Sequence, residues 1–241
     1  MTDLELARRY LPILHMDKND TIPLRAVGYT VFHETADSRS FPGRRISVPE
    51  NGMCTVEYAC FFDYDIEHMY DLEHVFVFVG KDGHILDAQG SFHGKVMNLL
   101  VDGLPGVLAP EDDHVHVFCQ PGKHAMLAAG CLSRLYPGWD TCCIRAGGPV
   151  LIGNPFSKAW SPTGKDLFIP TEADDLNSSR YLLEHLSFTP ALDFSRIVEN
   201  LADYLVPWQD LYVKIPEWIR TECQRVAALF ADESSEDRSL R

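Results

Sequence analysis

The fold is decided by residues 73–89, which read EHVFVFVGKDGHILDAQ. Apolar residues fill positions 75–79, and the GKDG that follows is a turn sequence, because Gly and Asp accept the backbone angles of tight turns. A second β-type run occupies positions 84–89. The two runs predict a β-hairpin whose first strand is buried within a sheet.

The same kind of pattern extends outward from this hairpin. Further strands are predicted at Cys54–Tyr64 and His114–Cys119, and the strands together favour an antiparallel sheet arrangement. Helical spacing of apolar residues predicts one helix inserted among the strands and three helices near the C-terminus: Lys123–Leu135, Ser178–Leu186, Asp193–Tyr204 and Pro216–Phe230. We therefore predict an α+β protein.

The organisation of the chain changes near Pro170. Short β-type runs stop there, and the remaining residues have helical spacing and an acidic surface. We predict a β-sandwich core over residues 1–170 with a metal site, and a C-terminal helical extension over residues 171–241. Trp208 and Leu211 are too apolar to stay exposed, so the extension is expected to pack on the core or to form a subunit interface.

Composition and charge exclude several classes of protein. The 241 residues carry 35 acidic and 21 basic side chains, a net charge of -14 that argues against a nucleic-acid partner. No apolar run approaches the roughly 20 residues of a transmembrane helix, and residues 1–10 lack the apolar stretch of a secretory signal. The seven cysteines are odd in number and form no C-x-x-C pair. We expect a cytoplasmic protein with reduced thiols.

A dense group of ionisable residues precedes the hairpin. Residues 61–74, FFDYDIEHMYDLEH, hold five carboxylates and two histidines in fourteen positions. Side chains two residues apart in a strand share a face, so Asp71 and Glu73 converge beside apolar surface, and Asp63 and Asp65 form a similar pair. Such carboxylates need a counter-charge, and the donor set suits Mg²⁺, Mn²⁺, Ca²⁺ or a carboxylate-rich Zn²⁺ site. The alternative is an acidic turn that hydrogen-bonds its own backbone.

Histidines elsewhere supply further candidates. His114 and His116 alternate with valine, so both face one side of a strand, as a metal pair or a polar edge would. In residues 91–94, SFHG, the glycine after His93 allows the backbone to approach a ligand closely. His124 stands just after a strand and a glycine, where it can turn back over the acidic face or act as a capping residue.

Four blocks of sequence resemble, in the same order, the necrosis-inducing-protein-like superfamily and its vacuolar-sorting-related relatives: YACFFDYD (58–65), HMYDLEHV (68–75), SFHG (91–94) and GKHA (122–125). The hallmark of that group is a GHRHDWE heptapeptide on a jelly-roll-like β-sandwich, whose acidic residues and histidines hold a divalent cation.

Here residues 67–73 read EHMYDLE, so the first His, the Asp and the Glu of the hallmark are kept and its other four residues are replaced. The resemblance spans about residues 10–130. It implies a jelly-roll-like fold and a metal shell of Asp65, His68, Asp71, Glu73 and His124.

Three functions follow from these observations. The first is a hydrolase in which the cation lowers the pKa of a bound water and polarises an ester, phosphoester or amide, with His93 or His74 as the proton shuttle. The second is a binding module that recognises a sugar or lipid headgroup through the ion without catalysis. In the third, the ion only holds loops together. The expected partner is a small molecule or a glycan or lipid headgroup, with a homo-oligomer through the C-terminal helices as a further expectation.

Overall fold

The computed structural model describes residues 1–66, 69–92, 94–104, 114–135 and 171–239, with the backbone alone over 232–239. The described chain is α+β. Its strands are β1 (Ile13–Met16), β2 (Leu24–Phe32), β3 (Ala36–Asp37), β4 (Arg45–Ile46), β5 (Gly52–Tyr64), β6 (Met69–Gly80), β7 (Ile85–Phe92), β8 (Lys95–Asn98), β9 (His116–Cys119), β10 (Met126–Leu127), β11 (Arg196–Ile197) and β12 (Leu205–Pro207). Its helices are α1 (Asp3–Arg9), α2 (Glu172–Tyr181) and α3 (Trp208–Ser239), with a π turn at Leu182–Leu186 and 3₁₀ turns at Gly130–Leu135 and Leu201–Tyr204.

The larger sheet has the strand order β12-β2-β5-β6-β7-β8. Its pairs are antiparallel except for β12 beside β2, which is parallel. The predicted hairpin is confirmed: β6 and β7 pair antiparallel, the Gly80 amide donates to the His84 carbonyl at 2.8 Å, and Gly83 has φ +84°. The long β5–β6 pairing aligns Phe62 with Asp71 and Cys60 with Glu73.

The smaller sheet has the order β10-β9-β1-β11 and contains a parallel pair, β1 with β9. Side chains from both sheets contribute to one buried core, including Leu14 and Val117 from the smaller sheet and Val56 and Val77 from the larger. The sheets come close at Gly90 of β7, where an added Cβ would lie 2.6 Å from Met126 Cβ on β10. Glycine is required there because any side chain would separate the two sheets.

Two predicted helices are wrong. Residues 123–135 form β10 and a 3₁₀ turn, because the Ala-Met-Leu run is buried on every side and has no polar face. The Gln120 amide also donates to the Ala125 carbonyl, which continues the pairing of β9 with β10. Residues 193–204 contain β11, which pairs with β1, and a 3₁₀ turn. Asn200, directly before this turn, has a left-handed backbone with φ +51°.

Helix α3 begins eight residues before the predicted start at Pro216, which lies inside it. Leu211, Ile215 and Ile219 are buried and follow one another every four residues on both sides of the proline. A single apolar face of the helix therefore continues past Pro216. This face packs near β2, where an added Cβ at Gly28 would lie 2.9 Å from Leu211 Cδ2. Among the described residues, no helix is both long enough and apolar enough to cross a membrane.

Candidate metal centre

The beginning of β6 brings acidic side chains to the edge of a pocket. Tyr70 adopts a left-handed conformation with φ +59°, and β6 continues from there into its long pairing with β5. Asp71 and Glu73, two residues apart, both line the pocket, and Asp65 from the end of β5 lines it as well. Asp71, Glu73 and Asp65 are all buried residues, 9%, 6% and 3% exposed.

The corner after β9 places two basic side chains against these acids. Gly122 and His124 both have left-handed backbones, at φ +67° and +52°, and the His124 amide donates to the Gln120 carbonyl at 2.8 Å. The Gly122 amide donates to Asp20 Oδ2 at 2.8 Å, which ties the corner to the loop after β1. The tight turn explains why His124 can point back over the acidic face despite following Glu73 by 51 residues.

His124 lies between two carboxylates. Its ring is fully buried and stacks on Phe62 with centroids 3.9 Å apart. Nδ1 donates to Asp71 Oδ2 at 3.1 Å, and Nε2 forms a looser ion pair with Asp20 Oδ2 at 3.5 Å. Burial alone would lower the pKa of His124, but the contacts and charges of Asp20 and Asp71 outweigh it and raise the pKa to about 9. The ring is therefore an imidazolium in this arrangement, and its assignment as a metal ligand stays a prediction.

Lys123 supplies the second positive charge. Its Nζ lies 2.7 Å from Asp65 Oδ2, and both side chains are largely buried. Because a buried ion pair is only weakly screened by solvent, this contact fixes the position of the Asp65 carboxylate at the pocket wall.

Glu73 is buried and is held by a neighbouring strand. Ser91 on β7 donates its hydroxyl to Glu73 Oε2 and accepts the His74 amide at 2.6 Å. Burial raises the pKa of Glu73 well above its usual range, and the charge of Asp71 raises it further, whereas the Ser91 hydrogen bond and the charge of His124 act in the opposite direction. An additional cation near Glu73 would favour its ionised form.

His74 points to a different part of the pocket. Its Nε2 lies 3.1 Å from Ser40 Oγ, and its Nδ1 is buried without a hydrogen-bond partner. Burial lowers the pKa of His74 to about 3, and the positive charge of Arg44 acts in the same direction. His74 is therefore neutral at neutral pH and a weak proton acceptor, which is unlike the shuttle expected from the sequence.

The pocket has a volume of about 370 Å³. The lining includes acidic, polar and apolar residues and consists of Ser40, Phe41, Pro42, Asp65, Asp71, Leu72, Glu73, His74, Gly94 and Lys123. Three carboxylates (Asp65, Asp71 and Glu73) form the acidic wall of this pocket, and Lys123 is the one cation among its described lining residues. Acidic side chains therefore outnumber basic ones in the lining, although burial favours the protonated form of Glu73.

The donor chemistry of this wall fits a hard divalent cation, because carboxylate oxygens are the ligands that such ions prefer. The positions are not those of a formed centre: within the described ranges, no three His, Cys, Asp or Glu side chains are grouped so that they could hold a metal ion. Each carboxylate is held instead by a donor from the protein. His68 and His93, which the sequence nominated as ligand and proton shuttle, lie outside the described residues.

Sequence reasoning missed two participants. Asp20 follows β1 and Ser40 lies between β3 and β4, and neither stands in a pattern that suggests a site. Both reach the site only through tertiary packing. A comparison of the chain with protein-family models, with curated proteins and with solved structures gives no match.

Proposed function

We propose that this protein is a divalent-metal-dependent hydrolase that acts on an ester, phosphoester or amide in the pocket beside β6. The observation that carries the proposal is the presence of Asp65, Asp71 and Glu73 in the lining of one pocket, where Lys123 is the one cation among the described lining residues. Bringing several carboxylates together in a partly desolvated site is costly, and a divalent ion is the compact way to offset that cost.

The residues of the chain have distinct roles in this proposal. Asp65, Asp71 and Glu73 would hold the ion, and His68 and His124 join them through the family resemblance. With a divalent ion held by these residues, the pKa of a bound water would be lowered and the oxygen of the scissile group would be polarised. Phe41, Pro42 and Leu72 also line the pocket, where they would exclude water and contact apolar parts of a substrate.

A specific observation favours a second candidate, a metal-dependent binding module for a sugar or lipid headgroup. Such a module needs no proton shuttle, and His74 is poorly suited to be one because its burial lowers its pKa to about 3. The hydrolase therefore depends on His93, or on a group of the substrate itself, for proton transfer.

The proposed function implies a particular arrangement of the two sheets. We propose that the two open sheets face one another as a jelly-roll-like sandwich, in keeping with the resemblance to the necrosis-inducing-protein-like superfamily. The shared core and the close approach of Gly90 to Met126 support this arrangement. In such a fold, the pocket would lie at the edge where β6 begins.

The first experiment measures metal content and hydrolysis together. Protein purified without chelator is compared with the Asp71→Asn/Glu73→Gln variant by elemental analysis, and both are assayed on chromogenic esters and phosphoesters with Mg²⁺ or Mn²⁺. We expect one divalent ion per chain and metal-dependent hydrolysis in the wild type, and at least a tenfold loss of metal affinity in the variant.

Asp63→Asn is the matched control, because Asp63 precedes Asp65 by two residues but binds Arg25 at 2.9 Å and does not line the pocket. Stoichiometric metal in the double variant would end the assignment of the site. The binding module would be selected by three results together: the double variant loses the metal, the wild type hydrolyses no substrate, and the wild type binds a sugar or lipid headgroup. In a calorimetric metal titration at neutral pH, His124→Ala separates a metal ligand, whose loss lowers the metal affinity about tenfold or more, from an internal counter-charge.

A further inference from the structure

The smaller sheet brings together two histidines that are 101 residues apart in the chain. The parallel pairing of β1 with β9 sets Ile13 opposite His116 and His15 opposite Phe118. Leu14, Val115 and Val117 are fully buried, whereas His15 and His116 are half-buried. Since side chains alternate along a strand, the two imidazoles share the more exposed face of this sheet.

The contact between the two rings is direct. His15 Nε2 lies 2.8 Å from His116 Nδ1, and the ring planes are inclined by 27° with centroids 5.1 Å apart. His15 also stacks on Phe118 at 4.6 Å, which restricts its orientation. The sequence suggested His114 and His116 as a possible pair. In the structure, His116 instead contacts His15, which lies on another strand.

The hydrogen bonds define the tautomer of His15. Its Nδ1 lies 3.2 Å from the Phe194 carbonyl, and a carbonyl only accepts, so Nδ1 carries the proton and Nε2 presents a lone pair. Burial lowers the pKa of His15, with His116 acting in the same direction, which favours the neutral ring. Histidines that bind metals have this same arrangement, in which one ring nitrogen donates to a backbone carbonyl and the other faces the ion.

We propose that His15 Nε2 and His116 Nδ1 form a second metal site that takes a nitrogen-preferring transition ion, Ni²⁺ or Cu²⁺. To bind an ion, the two rings turn from the hydrogen-bonded arrangement until both lone pairs face it. Two nitrogens about 2.0 Å from an ion and at a right angle to each other are about 2.8 Å apart, so the tetragonal geometry that Cu²⁺ and Ni²⁺ favour keeps the observed nitrogen separation. Tetrahedral Zn²⁺ would require the nitrogens to separate to roughly 3.3 Å.

The proton balance of binding is simple. In the empty pair, His116 Nδ1–H donates to His15 Nε2. On binding, that proton moves through solvent to Nε2 of the same His116 ring, so Nδ1 gains a free lone pair and the overall charge of the two rings is unchanged. In this proposal, His15 and His116 are the two protein ligands and water completes the coordination.

The test is a calorimetric Ni²⁺ titration of tag-free protein at neutral pH in excess Mg²⁺, which keeps the acidic pocket occupied by a hard ion. We expect one Ni²⁺ per chain, and at least tenfold weaker binding in His116→Ala and His116→Phe. The phenylalanine variant retains an aromatic ring beside His15 and so tests the nitrogen ligand if the alanine variant is unstable. His84→Ala is the control, because His84 is an exposed histidine on the β6–β7 turn.

Unchanged Ni²⁺ affinity in both His116 variants would overturn the proposal. Equal losses in His84→Ala would do the same, since they would indicate scattered surface binding. In a second measurement, substoichiometric Cu²⁺ should broaden the imidazole resonances of His15 and His116 and leave those of His84 sharp. The Asp71→Asn/Glu73→Gln variant should bind Ni²⁺ as the wild type does, so failure of the acidic site and failure of this site are distinguishable.

Discussion

At the scale of single residues, a further buried acid is connected to the pocket through Ser38 and Ser40. Glu57 on β5 is 1% exposed, and Ser38 donates its hydroxyl to Glu57 Oε1 at 2.5 Å. The neighbouring guanidinium of Arg44 lies over the ring of Phe76, with Cζ 4.0 Å from the ring centroid. Burial raises the pKa of Glu57 to about 7, although the hydrogen bonds of Ser38 and Ser40 and the charge of Arg44 lower it. The folded protein therefore favours a protonated Glu57.

The sign of the resulting pH dependence follows from linkage. An acid whose pKa is raised by folding disfavours the folded state once it ionises, so stability falls as the pH rises from 4.5 to about 7 and is constant above that range. The two pKa values correspond to a contribution of about 3 kcal/mol. Glu57→Gln, which keeps an acceptor for Ser38, should remove this dependence.

We therefore expect the Glu57→Gln variant to gain about 2 to 3 kcal/mol relative to wild type between pH 5 and pH 8. Urea unfolding of both proteins at the two pH values measures the difference. Glu50→Gln serves as the control, because Glu50 is exposed and its replacement should leave the stability difference near zero. Parallel stability curves for wild type and Glu57→Gln would contradict the assignment.

At the scale of secondary-structure elements, the contact between β7 and β10 leaves no space for a side chain at Gly90. Gly90→Ala should destabilise the protein by about 1 to 3 kcal/mol, because the new methyl group would overlap Met126 and its carbonyl oxygen. The midpoint of urea unfolding measures this loss. Gly43→Ala is the comparison: Gly43 has φ +79° and open space around it, so that variant carries only backbone strain of about 1 kcal/mol. A smaller effect at Gly90 than at Gly43 would mean that the sheets can separate freely.

The strands that sequence reasoning found are those with the plainest local chemistry. The β6–β7 hairpin could be predicted because an apolar strand is followed by GKDG. The placement of Asp71 and Glu73 on one face of their strand follows from the period of two. Residues 125–129 misled the prediction, because a short run buried on all sides has no periodicity that separates a strand from a helix.

The rest of the candidate site could not be read from the sequence. Asp20 meets His124 across 104 positions of the chain, and Ser40 meets His74 across 34. Neither contact is local, so no spacing rule applies to it. The same holds for His15 and His116, because strand alternation gives the face of a histidine but not the identity of the neighbouring strand.

At the scale of the whole molecule, residues beyond 170 complete both sheets. β11 pairs with β1 and β12 pairs with β2, and Leu211, Ile215 and Ile219 of α3 are buried in the common core. A chain shortened to residues 1–170 should therefore expose apolar surface and two strand edges and form aggregates. Size-exclusion chromatography with light scattering measures this outcome. A monomeric truncated protein with a cooperative thermal transition would show that the C-terminal segment is dispensable.

The smaller sheet also has a consequence for biosynthesis. His15 on β1 pairs with Ile197 on β11, which is 182 residues later in the chain. At a translation rate of about 5 to 20 residues per second, β11 emerges from the ribosome roughly 10 to 40 s after β1. Throughout that interval, one edge of β1 offers open backbone hydrogen-bonding groups. We therefore expect the nascent protein to depend on chaperones that hold N-terminal segments, and slow elongation should increase this dependence.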